Sequence, residues 1–174
     1  MHKRKFFFIF FEGIEGSGKS YQSKKLFKNI KKNFPVMLTR EPGGTIGAER
    51  IRQVILKDYF HKNKSEKFHK YTDTLLYLAA RNEHIKNKIK PALVKKKVVI
   101  CDRFTDSTIA YQVYGKKVDI SFINNIHKKI LHNIKPNLVF ILKVSKKSSK
   151  KRLKKRKNKN RYDNFSQSFY TKAQ

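Results

Sequence analysis

Residues 13 to 20 read Gly-Ile-Glu-Gly-Ser-Gly-Lys-Ser, satisfying the pattern G-x-x-x-x-G-K-[ST], and they stand just behind the apolar run Phe6 to Phe11. An apolar run that short reads as a buried strand, and Ser20-Tyr-Gln-Ser-Lys-Lys-Leu-Phe reads as a helix beginning where the loop ends. Strand, glycine-rich turn and helix in that order are what phosphate binding requires. Glycines at 13, 16 and 18 let the backbone N–H groups of the loop, those of Ile14, Glu15 and Ser17 included, turn inward at phosphate oxygens, while the helix N-terminus adds its partial positive charge. Lys19 then reaches the β- and γ-phosphates of a nucleotide, and Ser20 offers its hydroxyl to Mg2+.

The rest of the chain has to be built around that loop. Its 174 residues suit one domain with one sizeable core, spanning 1–174. No segment approaches about 18 consecutive apolar residues, and Phe6 to Phe11 is too short for a signal-peptide core, so a cytoplasmic protein without a membrane anchor is expected. Cys101 is the single cysteine, which excludes an internal disulfide. It closes an apolar strand and reads as core. The net charge of +31 would ordinarily suggest a nucleic-acid partner, but the basic residues are 34 Lys against 9 Arg, alongside 12 Asn, 16 Ile and 14 Phe. That usage resembles an AT-rich genome, whereas readers of phosphates and bases favour the planar, bidentate Arg. The lysines therefore read as solvated surface, with no nucleic acid expected as partner.

Taken in order, the first helix runs to about Asn33, and Phe34-Pro-Val-Met-Leu-Thr reads as a second strand. It delivers Arg40-Glu-Pro-Gly-Gly-Thr to its carboxyl end, the edge where ligands bind in an open α/β sheet. Pro42, Gly43 and Gly44 forbid a helix there, so Arg40 and Glu41 sit on a turn. Ile51, Val54 and Ile55 have helical spacing within 47–57, and residues 58–70 read as a polar connection. A long helix is expected from Tyr71 to Pro91 or a little beyond. It places Tyr77 and Arg81 on one face. A third strand, Lys95 to Cys101, ends in Asp102-Arg103-Phe104, and a carboxylate at that position beside a phosphate loop is where a Mg2+-orienting group belongs. A short helix over 106–113 carries Ser107, Thr108, Tyr111 and Gln112, polar side chains able to bond a base edge. Another helix over 119–132 and a strand over 136–142 follow. The basic stretch from Lys143 to Arg161 contains no aromatic, which favours a phosphate-covering segment or a solvated face over a single-strand nucleic-acid surface.

Together the motifs resemble those of bacterial thymidylate kinases. Four signatures fall in that family's order: Phe11-Glu-Gly-Ile-Glu-Gly-Ser-Gly-Lys-Ser, Thr39-Arg-Glu-Pro-Gly-Gly-Thr, Leu75-Leu-Tyr-Leu-Ala-Ala-Arg, and Ile100-Cys-Asp-Arg-Phe with Ser107 and Ala110-Tyr-Gln. The resemblance implies a three-layer α/β P-loop fold with a parallel sheet covered by helices on both faces. It implies ATP and dTMP as substrates, Mg2+ as the metal, dTDP as product and a homodimer. Arg40 and Arg103 match the residues that hold the dTMP phosphate, and Glu15 the carboxylate near the sugar 3′-hydroxyl and the metal. Tyr77 matches an aromatic that stacks on thymine, Arg81 a residue that reaches the base, and Thr108, Tyr111 and Gln112 the remaining nucleoside pocket. Lys19, Asp102, Arg103 and Arg161 become the catalytic set, Arg161 lying in a basic lid over about 143–165. Arg152 and Arg156, four apart in a Lys-rich helix, read as solvated. The segment after Gln112 and the lid sequence Asn160-Arg-Tyr-Asp depart from the usual pattern. Gln174 falls several tens of residues before the family's usual end, a C-terminally short form that would lack the last strand, the final helix and part of the adenine contact. Three other readings stay open: another nucleoside monophosphate kinase, a basic nucleic-acid binder on a P-loop scaffold, and a truncated, weakly active protein.

Overall fold

Phe8 and Phe10 face one way along the first strand and Ile9 and Phe11 the other, and all four are buried. A strand apolar on both faces has to lie inside a sheet covered on both sides. The computed structural model, which describes residues 7–57, 67–155 and 167–173, shows that arrangement. Strand β1 (Phe7–Glu12) pairs in parallel with β3 (Val98–Asp102) on one side and β4 (Leu138–Ile141) on the other. Strand β2 (Val36–Arg40) extends β3, giving the order β2-β3-β1-β4, parallel throughout. The register sets Phe11 beside Asp102 and Arg40 beside Asp102, so the P-loop, the turn after β2 and the turn after β3 emerge together at one edge.

Helices pack on both faces of β1 and β3. Leu26, Phe27 and Ile30 of α1 (Lys19–Ile30) pack on Ile9, Phe11 and Ile100. On the other face Phe8, Phe10, Val99 and Cys101 meet Ile85, Ile89, Ala92, Leu93 and Phe104. Cys101 is core, as its strand position implies. The long helix runs as α3 (Lys70–His84), a π-helical turn at Ile85–Ile89 and α4 (Lys90–Val94), passing Pro91 by three residues. Helix α2 (Ile46–Leu56) starts one residue before its expected span, with Thr45 Oγ1 accepting from the Ala48 N–H at 3.2 Å as its N-cap. After β3 come α5 (Thr105–Thr108) and a π-helical segment, Ile109–Gly115. They are followed by α6 (Ile120–Ile130), α7 (Lys146–Lys154) within the basic stretch, and α8 (Gln167–Ala173). Among the described residues no helix is long and apolar enough to cross a membrane.

Candidate active site

The shared sheet edge opens on a cavity of about 510 Å³. Glu15, Gly16, Gly18, Lys19 and Ser20 line one end. Tyr77, Arg81, Ser107, Thr108, Tyr111 and Gln112 line the other, with Arg40, Asp102 and Arg103 between them. Among the described residues, each side chain expected to hold dTMP thus reaches one space, though their sequence positions span almost a hundred residues. Gly13, Ile14 and Ser17 belong to the loop but stand behind it. There Lys19 Nζ donates to the carbonyls of Gly13 and Ile14, both at 2.8 Å, and to Ser17 Oγ at 3.4 Å. Burial, with the Arg103 charge nearby, pushes the Lys19 amine down to about 8. Anionic phosphates in the cavity would raise it again.

Two contacts prepare the loop's far side. The Ser20 hydroxyl donates to the Asp102 carboxylate across the gap between α1 and β3. Helix α7 presses on the loop from outside: Ser149 Oγ donates to the Glu15 carbonyl at 2.7 Å, and Arg152 Nη1 to the Gly16 carbonyl at 3.0 Å. Gly16 has φ +73°, and a Cβ there would stand 3.0 Å from the Ser149 carbonyl, so both the bend and the approach of α7 call for glycine. Arg152 is exposed, as its place in a Lys-rich helix implies, and its guanidinium also lines the cavity. The contact has a simple cause: carbonyls turned outward by an inward-facing N–H loop need donors, and α7 supplies them. Arg156 and Arg161 lie outside the described residues.

Arg103 takes a left-handed backbone (φ +72°) immediately after β3. Its Nη2 bonds Glu15 Oε1 at 2.9 Å and Tyr111 Oη at 3.4 Å, and its Nη1 bonds Ser107 Oγ at 2.9 Å and the Gly13 carbonyl at 3.2 Å. Burial opposes its charge, yet Glu15, Tyr111, Glu12 and Asp102 hold the guanidinium charged well above its ordinary range. Arg40 is half exposed and paired with Glu49 at 3.2 Å.

The inner end is a buried polar network. Arg81 donates to Glu41 Oε2 from Nε at 2.8 Å, to Thr108 Oγ1 and His127 Nε2 from Nη1, and to the Phe104 carbonyl from Nη2, which also stands 2.7 Å from Glu41 Oε2 in an ion pair. These contacts engage all three nitrogens of the guanidinium group. Glu41 also accepts from His84 Nδ1 at 3.1 Å, while His84 Nε2 meets Thr39 Oγ1 at 2.7 Å. Burial alone would raise the Glu41 carboxyl, but Arg81 and then His84 hold it below the usual range. A guanidinium can only donate, so His127 presents a bare Nε2, and burial together with Arg81 pushes its pKa down to about 4. Gln112 Nε2 is buried with no hydrogen-bond partner in the structure, a donor waiting at the cavity wall.

The motifs did not point to four residues of this site. Arg52 of α2 lines the cavity and donates to the Pro42 carbonyl at 2.6 Å, although its helix is legible only by its apolar stripe. Glu12, His84 and His127 act through partners 43 to 95 residues away in sequence, and no local pattern reveals those partners. For Arg52 a signal did exist: Arg is scarce here, and this one follows Arg40 by twelve residues.

Comparison with known proteins agrees with this geometry. The sequence profile of the thymidylate kinase family matches residues 11–174. The chain is 45% identical over 171 residues to the thymidylate kinase of Wolbachia pipientis wMel, covering 96% of this chain and 81% of that one. It is 38% identical over 169 residues to that of Pelotomaculum thermopropionicum, covering 96% and 76%. The crystal structure of thymidylate kinase from Ehrlichia chaffeensis superposes with a TM-score of 0.71 at 40% identity, over 84% of this chain and 81% of that one. Fold, loop and relatives converge, and the chain belongs to the thymidylate kinase family.

Proposed function

We propose that the protein transfers the γ-phosphoryl group of ATP to dTMP, releasing dTDP and ADP. The observation that carries this is a cavity with a phosphate loop at one end, a polar pocket lined by Tyr77, Arg81, Thr108 and Gln112 at the other, and Arg103 between them. Phosphoryl transfer passes through a loose transition state, so the protein's task is to align two substrates and spread charge over the moving group. Lys19 exchanges its loop carbonyls for phosphate oxygens. Arg103, anchored by Glu15, Ser107 and Tyr111, and Arg40 and Arg52 at the turn after β2 receive the acceptor phosphate. Tyr77 stacks on the base, and Arg81, Thr108 and the unpaired Gln112 amide meet its polar edge. Arg152 reaches the phosphate loop, and Arg161 supplies the further charge on the transferring group.

The site's chemistry also fits Mg2+. Among the described residues no three acidic, His or Cys groups cluster, but the Ser20 hydroxyl and the Asp102 carboxylate are adjacent hard oxygens beside the phosphate loop. Ser20 and Asp102, with Glu15, would hold the ion, and when bound it neutralises charge on the transferring phosphates. The protein works in the cytoplasm as a homodimer of single-domain subunits, in line with the resemblance. A coupled assay of ADP release on the purified protein, run across a panel of nucleoside monophosphates, tests the central assignment. The expected result is Mg2+-dependent turnover greatest with dTMP. Equal or greater turnover with another monophosphate, or ATP hydrolysis indifferent to dTMP, would reject it.

A further inference from the structure

The turn that carries Arg103 and the helix behind it have no cap of their own. Phe104 is the residue before α5, its side chain cannot accept a hydrogen bond, and no local side chain caps the helix. The acceptor comes from a different strand. Glu12, last residue of β1 and only 6% exposed, turns its carboxylate onto the opening of α5. Its Oε1 accepts from the Phe104 N–H at 2.8 Å and the Ser107 N–H at 3.1 Å, and its Oε2 from the Ser107 hydroxyl at 2.6 Å. Three donors converge on one carboxylate from 92 to 95 residues away, at a helix N-terminus where negative charge is favoured.

The placement reaches beyond stability. The residue between the Glu12-bound amide of Phe104 and β3 is Arg103, whose left-handed backbone a side chain rarely adopts unless its neighbours hold it. Ser107, bound twice by Glu12, is itself a partner of the Arg103 guanidinium. Thr108, Tyr111 and Gln112 follow on the same helical run. Glu12 also stands directly before the phosphate loop, since Gly13 is the next residue. We propose that Glu12 is a positioning residue of the acceptor site: it caps the 104–107 turn from β1 and so sets Arg103 and the nucleoside-facing helix at a fixed distance from the phosphate loop. It touches no substrate and acts through Arg103 and Ser107.

The inference rests on the reading of the inner pocket as the dTMP site, and the experiment separates the two. Kd for dTMP and for ATP are measured by calorimetry on the wild type, Glu12→Gln and Glu12→Asp, with amide hydrogen exchange at Phe104 and Ser107. Glu12→Gln keeps an oxygen at the right reach, whereas Glu12→Asp keeps the charge but draws the acceptors back by one methylene. We expect Glu12→Asp to weaken dTMP about tenfold, the scale of one displaced hydrogen bond, to leave ATP within about twofold and to speed exchange at both amides. Glu12→Gln should lose less than about threefold on either ligand. A dTMP loss greater in Gln than in Asp would mean that charge and not reach matters, and would overturn the proposal. So would equal losses for ATP and dTMP, or none in Glu12→Asp while the wild type binds dTMP. A wild type that binds ATP but no dTMP would instead overturn the pocket reading itself.

Discussion

Removing one partner of the Glu41–Arg81 pair should be among the most damaging single changes available to this fold. The two side chains are 4% and 3% exposed, and Arg81 makes four hydrogen bonds to protein acceptors. Arg81→Met leaves the Glu41 carboxylate with His84 alone, and strips donors from the Phe104 carbonyl, Thr108 Oγ1 and His127 Nε2. Loss of one member of a buried pair costs about 3–5 kcal/mol, because the other charge stays desolvated. The three orphaned neutral acceptors belong to the same network and place the estimate in the upper part of that range, about 4–5 kcal/mol. For a domain of this length each kcal/mol lowers Tm by about 2–4 °C, so a fall of about 8–20 °C is expected. Glu41→Leu should cost about as much, through an unpaired guanidinium. The double variant removes both charges and should be more stable than the sum of the singles by about 2–3 kcal/mol. Urea unfolding followed by circular dichroism, without nucleotide, reads all four corners of the cycle. Additivity within about 0.5 kcal/mol would show that the pair is not coupled and that the network is incidental packing.

The remaining expectations concern catalysis and pH. Tyr77→Ala should weaken dTMP much more than ATP in calorimetry; equal losses would make Tyr77 plain core. Arg161→Ala should cut kcat by at least about a hundredfold with dTMP affinity kept, while Arg152→Ala, which frees the Gly16 carbonyl, mainly raises KM for ATP. A large kcat loss in Arg152→Ala and none in Arg161→Ala, read by steady-state kinetics, would move the catalytic charge onto α7. His127 stays neutral in the fold down to a pKa of about 4. The unfolded chain therefore takes up the proton first, and stability should fall as pH drops from about 6.5 to about 4, by at most about 1.4 kcal/mol per pH unit from this group. His127→Gln, which still offers an oxygen to Arg81, should flatten that slope in urea titrations; unchanged slopes in both proteins would assign the loss elsewhere.

Much of this protein is readable without coordinates. Glycines 13, 16 and 18, the Pro-Gly-Gly turn and the unbroken apolar strands follow from backbone sterics and side-chain periodicity, which act over a few residues. They locate the phosphate loop, the turn after β2 and Asp102-Arg103 as strand-end features. Even Tyr77 and Arg81 share a face by helical spacing alone. What only the tertiary structure decided is which of these features meet, and through what partners. The parallel order β2-β3-β1-β4 brings three strand ends to one edge, and no local rule ranks that order above the alternatives. It turns Glu12 onto a helix 92 residues away, Glu41 between Arg81 and His84, and Arg152 onto the Gly16 carbonyl. Each is a charged residue whose partner no local reading reveals. For Glu12 and Glu41 the role comes from buried donors that exist only after the chain has closed around them, because the cost of an unpaired polar group is incurred in the packed interior and not along the sequence.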